Sequence, residues 1–227
     1  MINSDSMPIG HEVKDYLDRR FGQESSLLHS IRTQSGIKGL PEIQIPIHVG
    51  KIIYLLAKIQ APRQILEIGT LGCYSTGWLA QALLPHGSLI SLEINPHHAV
   101  KACQHMQELK EKHIEIRIGH AVELLAQIES ERTSWPFDLI FIDADKENNA
   151  LYLDWSLRLS RPGSLILIDN LIPKGSKVGY PSHNEAKAVY AFNDYLAQHP
   201  LIEVAALPIL VGPQGRLDAL AIAYVKG

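Results

Sequence analysis

The chain has 227 residues, 46% of them hydrophobic, and 21 Lys and Arg against 24 Asp and Glu give a formal net charge of −3. That length suits one domain with a small appendage and can bury roughly 70% of its unfolded surface without covalent staples. The balance excludes several classes: no basic stripe marks a nucleic-acid binder, two cysteines make no disulfide framework, the polar start MINSDSMPIGHEVKDY has no apolar signal core, and no run nears the ~18–20 apolar residues that span a bilayer, so a cytoplasmic protein is expected.

Residues 1–45 read as an N-terminal helical appendage to a domain covering 1–227, with short helices at Glu12–Phe21 and Glu24–Thr33 before Gly36, Gly39 and Pro41 break the pattern. A lid, a dimer contact and plain packing all remain open for it. From Arg63 onward, apolar runs of about five residues alternate with amphipathic stretches. Gln64–Ile68 precedes a helical pattern at Thr76–Leu84, and Leu89–Ile94 precedes a helix with Asn95 as N-cap and Pro96 at its first position. Ile114–Ile118, Asp138–Ile142 and Ser164–Ile168 continue the series, with helical patterns at Ala121–Ile128 and Leu151–Leu159 between them. Short continuous Ile/Leu runs fit strands buried on both faces of a parallel sheet. The loop Lys174–His183 reads either as a lid or as ordinary surface. At the end, Ile202–Ile209 and Ala219–Val225 flank a Gly/Pro loop at Val211–Gly215, the pattern of an antiparallel hairpin. The expected fold is therefore α/β: a doubly wound, mostly parallel, seven-stranded Rossmann-like sheet with N-terminal helices and a C-terminal hairpin.

Ligands of such sheets bind beyond the carboxyl ends of the strands. The first of these ends reads Leu66-Glu67-Ile68-Gly69-Thr70-Leu71-Gly72-Cys73-Tyr74-Ser75. Gly69 and Gly72 let the backbone approach a ligand ahead of a helix N-terminus. Glu67 stands where a dinucleotide fingerprint has its first glycine, and a carboxylate there repels a pyrophosphate but suits a cation. Glu93 ends the second run, placed to accept from two ribose hydroxyls. S-adenosylmethionine, with its ammonium, sulfonium and free ribose, fits both acids. Each feature alone also reads as a turn glycine or a solvated strand end.

The fourth and fifth runs end in Asp143-Ala144-Asp145-Lys146 and Asp169-Asn170. Asp143, Asp169 and Asn170 offer three oxygen ligands to a hard cation such as Mg²⁺, leaving positions for two oxygens of a vicinal diol. A bound cation lowers the pKa of a coordinated hydroxyl, Lys146 is placed to take the proton, and the resulting oxygen attacks the methyl group in line with the sulfonium. Strand-end caps and an Asp-Asn turn are the ordinary alternatives for these residues. His97, His98, Cys103 and His105 share a helix, but at no zinc-ligand spacing, and no G-x-S-x-G occurs for a serine hydrolase.

These residues carry a resemblance. The segments Gly39-Leu40-Pro41-Glu42-Ile43-Gln44, Glu67-Ile68-Gly69 with Gly72-x-Tyr74-Ser75, Asp143-Ala144-Asp145-Lys146 and Asp169-Asn170 resemble the metal-dependent O-methyltransferases of the caffeoyl-CoA and catechol type, small bacterial members above all, from about Gly39 to the end. The resemblance implies cofactor contacts at Glu67, Gly69, Thr70, Gly72, Tyr74, Ser75, Glu93, Ala121 and Asp145. It further implies metal ligands at Asp143, Asp169 and Asn170, a base at Lys146, Mg²⁺ or a similar ion, a small hydroxyl acceptor and a cytosolic homodimer. Three departures from the family pattern stand out: Pro173 replaces a tryptophan, His48-Val49-Gly50 replaces acid-Gln-Gly, and Gly212-Pro213-Gln214-Gly215-Arg216-Leu217-Asp218 replaces a Gly-Asp-Gly turn. Three readings follow: a metal-dependent O-methyltransferase, a metal-independent one of the same fold, and a non-catalytic nucleoside-binding module.

Overall fold

Strands β1 (Gln64–Ile68), β2 (Ser88–Glu93), β3 (His113–Ile118), β4 (Phe137–Ile142) and β5 (Ser160–Ile168) run parallel, and β6 (Ile202–Val211) and β7 (Arg216–Val225) form an antiparallel hairpin. They make one seven-stranded sheet in the order β3-β2-β1-β4-β5-β7-β6, with β7 antiparallel to β5. The structure, a computed structural model, describes residues 10–37, 40, 41, 43–106, 113–131 and 136–227. Gly39, Glu42 and the side chains of Cys103 and His105 lie outside the described residues, while Gly36, expected to break the second helix, lies inside it, since that helix runs from Ser26 to Ile37.

The period-two alternation of each strand decides which layer it serves. Ile65, Leu139, Phe141 and Leu167 face α2 (Ser26–Ile37), α3 (Ile47–Gln60), α4 (Tyr74–Ala82) and α5 (Pro96–Met106). Leu66, Ile68, Ile140, Ile142 and Ile166 face α6 (Ala121–Glu131), α7 (Asn149–Leu159) and α8 (Asn184–Gln198). β4 is buried at every position, as a strand covered on both faces must be. Among the described residues no helix is long and apolar enough to cross a membrane.

The predicted strands and the terminal hairpin all appear, with ends shifted by a few residues. Pro96 opens α5, and the Asn95 side chain caps it, accepting from the His97 N–H at 2.9 Å. The sequence reading assigns no element to α3 or α8. α3 runs between Pro46 and a left-handed Ala61 ahead of Pro62, and its near-continuous apolar stretch hides the helical period. α8 buries Ala186, Val189, Phe192 and Leu196 at helical spacing and is capped by the imidazole of His183, a residue type outside the usual N-cap set.

The second N-terminal helix is built into the main core, and the first is tied to it by polar contacts. Leu28 and Ile31 of α2 are fully buried in the same cluster as the sheet. In α1 (Gly10–Phe21), Asp18 Oδ1 accepts from the His48 backbone N–H at 2.9 Å and lies 2.6 Å from His48 Nδ1. Burial opposes ionisation there, yet the hydrogen bonds from His48 and Lys14 hold the Asp18 carboxyl at about 2. Glu24, at the entry to α2, accepts from the Tyr74 hydroxyl at 2.9 Å and grips Arg32, which ties this segment to the first residue of α4.

Candidate active site

The chain leaves β1 through Gly69 and re-enters a helix at Tyr74. Gly69 has φ +103°, and a Cβ added there would lie 2.2 Å from the carbonyl oxygen of Asp143. Only glycine lets the loops after β1 and β4 pass this closely. Leu71 and Cys73 also hold positive φ, at 49° and 69°, strain of the kind that clusters where a loop must present its backbone to a ligand. Glu93 supports that bend: one carboxylate oxygen accepts the Leu71 N–H at 2.7 Å and the other the Asn95 N–H at 2.8 Å. Each oxygen keeps a second lone pair, so the ribose role expected for Glu93 survives alongside this structural one.

Beneath the loop runs a buried polar chain. Thr70 Oγ1 is 2.5 Å from Ser91 Oγ, and the hydroxyls of Ser91 and Thr76 donate to Glu67 Oε2 at 2.6 and 2.5 Å. Glu67 is fully buried. Its Oε1 has no partner in hydrogen-bond geometry, although the Ser75 hydroxyl is near enough to favour the charged form. Burial outweighs the hydroxyls of Ser75, Ser91 and Thr76 and pushes the Glu67 carboxyl up to about 7. A carboxyl raised from 4.5 to about 7 by folding stabilises the fold fully below 4.5 and loses that contribution as pH rises through 7. The cofactor-free Glu67→Gln variant should therefore match the parent in melting temperature near pH 4.5 and exceed it near pH 8, by up to about 3 kcal/mol. Parallel melting curves across that pH range would rule this out.

Over these loops opens a cavity of about 890 Å³, inside the range of small-molecule and cofactor sites. Its wall includes Gly69, Thr70, Gly72, Tyr74, Ser75, Glu93, Ala121, Asp143, Asp145, Lys146 and Asn170. Glu67 and Asp169 are absent from that wall: both are buried just behind it, at 0% and 3% exposure. Glu67 therefore faces the loop from below rather than sharing the rim, as the sequence reading had it. Asp145 is already engaged, accepting from Tyr152 Oη and Asn148 Nδ2, both at 2.5 Å. Pro173 and Lys174 line none of the cavity, and the loop 174–183 folds on itself through Ser176, Ser182 and Tyr190.

At the far side, Lys146 Nζ donates to Asp143 Oδ1 at 3.0 Å, with both side chains largely buried. Asp169 Oδ1 is buried without a hydrogen-bond partner. Burial first, then the charges of Asp143 and Asp218, drive the Asp169 carboxyl well above the ordinary carboxylate range, against the pull of Lys146. Asn170, at φ +67°, donates its side-chain N–H to Asp218 at 3.2 Å and lines the cavity. Among the described residues no group of three or more His, Cys, Asp or Glu gathers in metal-binding fashion, and the expected ligand set, two carboxylates and one amide, is not of that composition. His98 stands 3.5 Å from Glu93 and lines the cavity.

Several wall residues escaped the sequence reading. Ile43, Gln44 and Ile45 reach the cavity from the N-terminal segment, and His98, His120, Asn148 and Tyr152 complete it. Ser91 and Asp218 each left a signal, a polar residue inside an apolar strand run.

A doubly wound sheet with a glycine-loop cavity across its strand ends, acids beneath the loop and a carboxylate–lysine pair opposite, defines a nucleoside-cofactor enzyme of the α/β class. A family model described as O-methyltransferase matches residues 19–213. The chain belongs to the O-methyltransferase family and is an S-adenosylmethionine-dependent enzyme of it, which sets aside the non-catalytic reading. It is 37% identical over 220 residues to a catechol O-methyltransferase of Niastella koreensis, covering 96% of this chain and 98% of the relative. It is 34% identical over 226 residues to a catechol O-methyltransferase of Mycobacterium tuberculosis, covering 99% of this chain and all of the relative. An O-methyltransferase of Bacillus cereus, solved in complex with SAH, superposes with a TM-score of 0.85 at 37% identity over 94% of this chain and 97% of its own.

Proposed function

We propose that this enzyme methylates one hydroxyl of a small vicinal-diol acceptor, aromatic in the first instance, held beside S-adenosylmethionine on a divalent cation. The observation that carries the reading is Asp169: a carboxylate buried behind the cavity wall with one oxygen lacking any partner, next to Asp143 and Asn170. A buried carboxylate oxygen without a hydrogen-bond partner is costly, and three hard oxygen donors at neighbouring strand ends fit a cation of the Mg²⁺ type. Asp143, Asp169 and Asn170 would hold it, and it would supply a lowered pKa to the acceptor hydroxyl. The names of the bacterial relatives support a catechol-type acceptor, and the resemblance supports a cytoplasmic homodimer.

The chain's own residues do the rest. The Gly69–Ser75 loop cradles the cofactor with its backbone, and Glu93 holds that loop while offering its remaining lone pairs to the ribose. Glu67 lies below the loop with an unpartnered oxygen, a negative site matched to a cationic cofactor. Lys146 Nζ, placed by Asp143, acts as base from its neutral amine form: it first gives up its own proton and then takes the one on the acceptor hydroxyl. The hydroxyl oxygen then forms its bond to the methyl carbon as the carbon–sulfur bond breaks, and the sulfur keeps the electron pair. Positioning two substrates in one cavity supplies most of the acceleration.

Methyl transfer from labelled S-adenosylmethionine to a catechol panel, with Mg²⁺ and then with EDTA, tests the metal. EDTA should lower turnover at least about 100-fold, as removal of a major electrostatic stabiliser does, with recovery on adding Mg²⁺. Asp169→Ala should show the same loss without recovery. Undiminished turnover in EDTA would instead establish the metal-independent reading, with the Lys146–Asp143 pair as sole base.

A further inference from the structure

Asn170 begins a three-residue bend between β5 and the loop that follows it, and the backbone groups of Leu171 and Ile172 are all paired. The Leu171 N–H donates to the Ala219 carbonyl at 3.1 Å, and the Leu171 carbonyl accepts from Asn193 Nδ2 at 2.8 Å. The Ile172 N–H donates to Asp218 Oδ1 at 2.9 Å, and the Ile172 carbonyl accepts from Arg216 at 3.1 Å. Asp218 is the hub. It is fully buried in β7, and its two oxygens divide their work. Oδ1 takes two backbone donors, Ile172 N–H and its neighbour Ala219 N–H at 2.8 Å. Oδ2 takes two side-chain donors, Arg216 at 2.6 Å and Asn170 Nδ2 at 3.2 Å.

An amide is ambiguous by itself: oxygen and nitrogen occupy nearly the same shape, and only its partners decide which faces where. A carboxylate accepts and never donates, so Asp218 draws the nitrogen of Asn170 and leaves the amide oxygen for the cavity. We infer that Asp218 is a positioning residue, which fixes Asn170 with its oxygen toward the cation site, and that Arg216 balances its buried charge. This builds on the metal reading of the same rim. Asp218 itself touches neither cation nor substrate.

A swap experiment follows from that division of oxygens. In Asp218→Asn, the new amide keeps its oxygen on the two fixed backbone donors, because these cannot move. Its nitrogen then replaces Oδ2 and faces both Arg216, which loses that acceptor, and Asn170, which must turn over and present nitrogen to the cavity. Asn170→Asp alone sets a second carboxylate against Asp218. The double variant exchanges the two chemistries. The carboxylate now at position 170 accepts from the amide nitrogen now at position 218 with one oxygen, and offers an equivalent oxygen to the cation.

Mn²⁺ binding to the purified protein, followed by electron paramagnetic resonance, reads this without turnover. Each single variant should bind Mn²⁺ at least tenfold more weakly than the parent, and the double variant should return to within about threefold. Losses that add in the double variant, or an Asp218→Asn protein that binds as the parent does, overturn the proposal. A second readout separates it from the metal reading. In the parent without metal, the Asn170 side-chain N–H₂ resonances should be protected from solvent exchange by Asp218, and Asp218→Asn should remove that protection while the circular dichroism stays unchanged. If the parent takes up no Mn²⁺ but the protection behaves so, the cation reading falls and the orienting role stands. If Asn170 shows no protection in the parent, the orienting role falls.

Discussion

Lys146→Met should lower kcat by about 10²- to 10⁴-fold, the usual contribution of a positioned general base, while the dissociation constant for S-adenosylmethionine changes by less than about threefold. The split follows from where the lysine stands. Its Nζ is 3.0 Å from Asp143 Oδ1 in the cavity wall, on the side where the proposal seats the acceptor, whereas the glycine loop proposed to hold the cofactor is braced by Glu93. Methionine keeps most of the buried stem and removes only the proton acceptor. Lys146→Arg makes the result decisive: it keeps the ion pair to Asp143 but accepts no proton at any workable pH. Single-turnover rates on both variants, with cofactor affinity measured separately, test the assignment. An arginine variant with full activity reduces Lys146 to the partner of an ion pair.

Gly69→Ala should destabilise the protein by about 3 kcal/mol or more, the sum of left-handed strain and a backbone collision, and at this chain length that lowers the melting temperature by about 10 °C. The added Cβ meets the Asp143 carbonyl oxygen at 2.2 Å, and that oxygen belongs to backbone rather than to a side chain that could swing away. The loop after β4 would have to retreat, which carries Asp143 and Lys146 with it, so activity should fall further than stability alone predicts. Gly179→Ala is the matched control. Its φ is +81°, and nothing lies within 4 Å of its added Cβ, so it isolates the strain at about 1 kcal/mol. Equal melting temperatures for the two variants would show that the loop crossing tolerates a side chain.

These two residues mark how far the sequence could be read. Lys146 was legible because it follows Asp143 at a strand end, and such ends recur in every doubly wound sheet. The glycine loop was legible for the same reason. The depth of each acid was not. Glu67 and Glu93 look alike in sequence, each an acid at the end of an apolar run. Yet Glu67 is buried among Ser91 and Thr76 with one oxygen unpartnered, while Glu93 lines the cavity. That difference depends on which neighbouring strands carry hydroxyls at the paired position, as Ser91 does opposite Glu67, and no local pattern encodes it. α3 and α8 escaped for another reason: one is too uniformly apolar to show a period, and the other is capped by a histidine. The partnership of Asn170 with Asp218 spans 48 residues and joins two strands that run in opposite directions. The departure from the Gly-Asp-Gly turn drew attention to the right place but concealed that its final residue, Asp218, is a buried hub.

That long-range partnership also orders events during synthesis. Every residue of the glycine loop and its supports, from Glu67 to Glu93, has left the ribosome long before residue 218 is made. The bend at residues 170–172 has Asn193 of α8 but lacks its Asp218, Arg216 and Ala219 partners until β7 inserts between β5 and β6. A nascent chain thus completes the glycine loop early and the 170–172 bend last. Partial unfolding should follow the same line in reverse, with the hairpin fraying first and the acceptor rim failing while the cofactor cradle persists.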